Sequence, residues 1–75
     1  MKRLRYCKHT DADELEIRYT DSEMTQGRGM ILLDMKLLRQ EGICWSNKDI
    51  QFADFDEASR REIERVYDLA IRNPL

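Results

Sequence analysis

The chain has 75 residues, of which 41% are hydrophobic and 37% charged, so it makes one small domain, 1–75, around a thin core. One histidine and two cysteines leave little material for catalysis or for a closed metal site. A net charge of −2, from 13 basic and 15 acidic residues, gives no general attraction to nucleic acid or to an anionic membrane. Two cysteines make no disulfide framework, no apolar leader follows Met1-Lys2-Arg3, and no stretch approaches the roughly 20 apolar residues of a bilayer span, so a cytoplasmic chain with free thiols is expected.

Residues 3–8 alternate, with Leu4 and Tyr6 on one face and Arg3, Arg5 and Cys7 on the other. Residues 14–20 alternate again, with Leu15, Ile17 and Tyr19 inward and Glu14, Glu16 and Arg18 outward. Both are strand patterns, and the turn formers His9-Thr10-Asp11-Ala12-Asp13 between them predict a tight hairpin. One register sets Tyr6 opposite Leu15, Leu4 opposite Ile17 and Arg5 opposite Glu16. Apolar side chains then meet, and one opposite-charge pair adds about a few tenths of a kcal/mol.

A polar connection over 20–29 ends in Gly27-Arg28-Gly29. The run from Met30 is rich in helix formers and predicts a helix from about Met30 to Glu41 with Gly42 at its C-terminal cap; a buried strand over 30–33 competes with that reading. Ile43-Cys44-Trp45 and Ile50-Gln51-Phe52 read as two short strands around the turn Ser46-Asn47-Lys48-Asp49. Asp54 and Glu57 resemble a capping box. Ile63, Val66, Tyr67, Ala70 and Ile71 then recur at helical spacing, Glu57–Arg61 and Asp68–Arg72 are favourable pairs, and Asn73-Pro74 ends the helix. The order is ββαββα, an α+β domain of two layers in which a small antiparallel sheet carries two helices on one face.

Few residues point to chemistry. Cys7, His9 and Cys44 are too few and wrongly spaced for zinc, and Cys7 with His9 lacks the third group that a nucleophilic site needs, so no metal, cofactor or enzymatic activity is expected. Gly27-Arg28-Gly29 lacks the rest of a phosphate-binding loop. Trp45 is the only tryptophan, and tryptophan and arginine dominate interface hot spots. The expected function is therefore contact: a small non-catalytic regulatory protein that binds and inhibits a larger protein or complex. Trp45 would act as its anchor, with Arg3, Arg5, Lys8, Arg28 and Lys48 around it. Compact inhibitors and adaptors encoded by phages and mobile elements have this character. Two alternatives stand beside it. One is a nucleic-acid-binding regulator using Arg3, Arg5, Lys8 and Arg28. The other is an acidic nucleic-acid mimic of the anti-CRISPR kind, using Asp11–Glu16 and Asp54–Glu57. An open sheet edge also predicts homodimers.

Overall fold

The structure, a computed structural model, describes residues 1–42 and 52–75. Strands β1 (Lys2–His9), β2 (Glu14–Asp21) and β3 (Arg28–Asp34) form an antiparallel sheet in the order β1-β2-β3. Helices α1 (Met35–Glu41) and α2 (Glu57–Arg72) complete a small α+β fold. The core lies on one side of the sheet. Leu15, Ile17, Tyr19 and Leu33 pack there with Met35 and Leu38 of α1, with Ile63, Val66, Tyr67 and Ala70 of α2, and with Phe52 and Phe55. Fully burying each large apolar side chain stabilises the fold by about 1.5–3 kcal/mol.

The first hairpin forms, but in another register. His9 pairs with Leu15, Lys8 with Glu16, Cys7 with Ile17 and Tyr6 with Arg18; Leu4 then pairs with Tyr19, so the ladder shifts between Leu4 and Tyr6. The extra residue in that bulge inverts the facing of β1. Lys2 and Leu4 share the core side before it, Cys7 and His9 share the core side after it, and Tyr6 turns outward. Arg5 therefore does not face Glu16. The turn sets this register. Asp13 N–H donates to Thr10 O, and Asp13 takes a left-handed conformation at φ 58°, which aspartate tolerates better than most residues.

The run after Gly29 divides. Arg28–Asp34 is a strand and the helix begins only at Met35, so the expected helix from Met30 is corrected in its first turn, and the strand reading of 30–33 holds. The free edge of β2 supplies a partner to every residue of β3, which a helix there would forfeit. Asp34 then caps α1 by accepting from Leu37 N–H at 3.1 Å. Gly27-Arg28-Gly29 leads into a strand rather than a helix, and Gly29 is required because a Cβ there would lie 2.3 Å from the Tyr19 ring. Gly42, at φ 67°, closes α1 as expected.

The cap of α2 is also displaced. Asp56, not Asp54, accepts from Ser59 N–H at 2.8 Å. Phe55 is buried edge-on to Tyr19 and bridges to Lys2, which holds residues 55 and 56 out of the helix after the turn at 53–54. Ile63, Val66, Tyr67 and Ala70 are buried as the spacing predicts, and Glu57 pairs with Arg61 at 2.6 Å. Phe52, expected to end a strand, is helical and fully buried. The rest of the expected second hairpin lies outside the described residues.

Candidate functional site

Both helices cover the same side of the sheet, and no described element covers the other. Strand alternation fills that open face row by row. Arg3, Thr20 and Arg28 form one row, then Tyr6, Arg18 and Met30, then Lys8, Glu16 and Leu32, and finally Glu14 with Asp34. Tyr6 is 41% exposed, Met30 43% and Leu32 46%, so the face carries an aromatic and two large aliphatic side chains in water.

Its centre is organised by Glu16. The Tyr6 hydroxyl donates to Glu16 Oε2 at 2.5 Å and Arg18 Nε donates to the same oxygen at 3.2 Å. The Tyr6 hydrogen bond, with help from Arg18, lowers the Glu16 carboxyl below its usual range. Lys8 Nζ lies 5.7 Å from the centre of the Tyr6 ring. One carboxylate thus fixes the pose of the aromatic ring and offsets the cations beside it.

The sequence candidates separate. Arg3 reaches Asp56 at 3.5 Å, and Arg5 sits exposed at the bulge. Lys8 leans on Tyr6, while Arg28 is exposed at the head of β3. Trp45, Lys48 and Cys44 lie outside the described residues. No local signal marked Met30 and Leu32, because Met30-Ile31-Leu32-Leu33 is an unbroken apolar run and only its pairing with β2 turns these two outward. Tyr6 was concealed by the hairpin register, which alternation alone does not fix.

Cys7 faces the core beside α2. Burial, with Glu62 nearby, pushes its thiol up to about 12, so it stays protonated and a poor nucleophile at neutral pH. His9 Nε2 lies 2.6 Å from Asp13 Oδ1. Arg39 of α1 grips both oxygens of Asp13 at 2.7 and 3.0 Å and also donates to Ala70 O of α2. The Arg39 and His9 hydrogen bonds lower the Asp13 carboxyl to about 2. An ionised Asp13 can only accept, so His9 Nε2 carries the proton. This cluster fastens the hairpin turn to both helices. Among the described residues no group of three His, Cys, Asp or Glu side chains converges as metal ligands.

The acidic segments are similarly occupied. Asp13 holds Arg39, Glu16 holds Tyr6 and Arg18, Asp56 caps α2, and Glu57 pairs with Arg61. A cleft of about 400 Å³ lies at the basic end of the sheet, bordered by Arg3, Asp21, Gly27 and Asp56. Asp21 Oδ1 accepts from Glu23 N–H, so both of its carboxylates already serve the backbone. Among the described residues no helix is long and apolar enough to cross a membrane. Protein-family models, curated proteins and solved structures give no match to the chain.

Proposed function

We propose that the chain is a small, non-catalytic binding protein of the cytoplasm that occupies the surface of a larger protein through the open face of its sheet and inhibits it sterically. The observation that carries this reading is the posed Tyr6 ring, presented beside Met30 and Leu32 on a face where cations and carboxylates interleave. Aromatic and aliphatic anchors ringed by mixed charge suit a protein partner. The protonated, core-facing Cys7 and the saturated Asp13 carboxylate support a role without chemistry.

The row Arg3, Thr20, Arg28 with the outward Tyr6 favours a second reading, in which the same face holds single-stranded nucleic acid by phosphate contacts and one stacked base. Glu14, Glu16 and Asp34 on that face oppose it. The acidic-mimic reading has less support, since its carboxylates are largely paired within the chain.

Capture from native cell extract distinguishes these readings. The wild-type chain is expected to retain one defined complex, Tyr6→Ala and Leu32→Arg to lose it, and Arg61→Ala, on the far helix surface, to keep it. Equal retention by all three variants would overturn the assignment of the face. Recovery of nucleic acid alone, fading steeply as salt rises, would move the function to the second reading.

A further inference from the structure

The two outer edges of the sheet are treated differently. The edge of β1 is covered at its start: Lys2 N–H donates to Asp54 O at 2.9 Å, Asp56 N–H to Lys2 O at 3.0 Å, and Leu4 N–H to Ser59 Oγ at 2.8 Å. No described residue pairs with the outer edge of β3. Asp21 N–H donates to Gly27 O, and Met35 N–H donates to Asp13 O. Odd-numbered residues of this stretch therefore turn their backbone groups towards β2 and its flank, and Arg28, Met30, Leu32 and Asp34 turn theirs outward. The middle of this edge, from Gly29 to Leu33, carries two exposed aliphatic side chains and neither a charge nor a proline to oppose pairing.

We propose that this edge pairs with itself, so that two copies of the chain join β3 to β3, antiparallel about a two-fold axis at Ile31, into one continuous sheet. The charges of β3 specify the occupant. In this register Arg28 lies opposite Asp34 of the second copy, Met30 opposite its Leu32, and Ile31 opposite itself. Both ends then carry opposite charges and the middle is apolar. Within one chain Asp34 faces Glu14 across the ladder, two carboxylates directly opposed, and Arg28 makes no ion pair among the described residues. The arginine of the second copy arrives beside that carboxylate pair. The outward backbone groups also match, since Arg28 with Asp34 and Met30 with Leu32 both join residues whose N–H and C=O point out of the sheet. A slip of one residue would set Arg28 against Leu33 and turn each side chain to the wrong face. The open faces of the two copies become contiguous, and this holds whatever that face binds.

Sedimentation of the full chain over a concentration series tests it. The wild type is expected to approach twice the monomer mass of 9.0 kDa. Leu32→Pro removes an outward N–H and no bond to β2, and is expected to sediment as a monomer with an unchanged circular dichroism spectrum. Arg28→Asp and Asp34→Arg each set like charges opposite one another and are expected to weaken the dimer at least tenfold, whereas their equimolar mixture restores it. Should Leu32→Pro unfold, the charge exchange decides. A wild type monomeric at the highest soluble concentration would overturn the proposal, even if an extended foreign peptide then bound the edge. A dimer indifferent to Leu32→Pro, or a mixture no tighter than either charge variant alone, would overturn it as well.

Discussion

The β1 and β3 edges begin from the same physical problem, a row of backbone groups with nothing beyond it, and they resolve it differently. β1 is closed from within the chain. Phe55 enters the core, residues 54–56 run beside Lys2, Ser59 caps Leu4, and a bulge interrupts the remainder. Among the described residues none pairs with the outward groups of β3, and its Met30 and Leu32 side chains are exposed. An edge that the chain closes belongs to folding, and one it leaves open is available to a partner. The first should therefore respond to substitution through stability, and the second through association.

Substitutions that break the closed edge should cost most. Phe55→Ala removes a buried ring that touches Tyr19 and Phe52, and should lower unfolding free energy by about 3–5 kcal/mol in a urea titration. Gly29→Ala strikes the inner side of β3, where the added Cβ meets the Tyr19 ring, and should cost about 1–3 kcal/mol by the same measurement. Ser59→Ala leaves Leu4 N–H without its acceptor and should cost about 0.5–1.5 kcal/mol, with faster exchange of the Leu4 amide.

Acid probes the fastening at the hairpin turn. Asp13 titrates at about 2 in the fold against an ordinary 3.8, so its contribution is present above the unfolded value and fades as pH falls from about 4 towards 2. Denaturation midpoints should drop across that interval, and Asp13→Asn should flatten part of the slope. The smallest effect is expected on the open face. Tyr6→Phe removes a solvent-facing hydrogen bond to Glu16 and should leave the thermal midpoint nearly unchanged while weakening partner capture.

Elements that depend on near neighbours were legible in the sequence. Alternation over 14–20 placed Leu15, Ile17 and Tyr19 in the core, helical spacing placed Ile63, Val66, Tyr67 and Ala70 there, and Gly42 marked the end of α1. Features set by distant parts of the chain were not. Whether 30–33 is strand or helix depends on the free edge of β2, since Met, Ile and Leu suit a buried position in either. Asp34, with its N-capping side chain, was the local sign that the helix starts late. The hairpin register depends on a left-handed aspartate and a bulge, and the same alternating residues satisfy both registers. The register set at the turn placed Tyr6, an expected core residue, at the centre of the candidate interface, and the bulge returned Leu4 to the core side. The start of α2 moved from Asp54 to Asp56 because Phe55 is drawn into the core from across the molecule.

Residue-resolved hydrogen exchange at several protein concentrations tests the contrast between the edges most directly. Lys2 and Leu4 amides should be protected equally at every concentration, and Met30 and Leu32 amides should become protected only as concentration rises. Met30 and Leu32 amides that exchange freely throughout, or that are protected to the same degree at the lowest concentration as at the highest, would contradict an open β3 edge that pairs between copies.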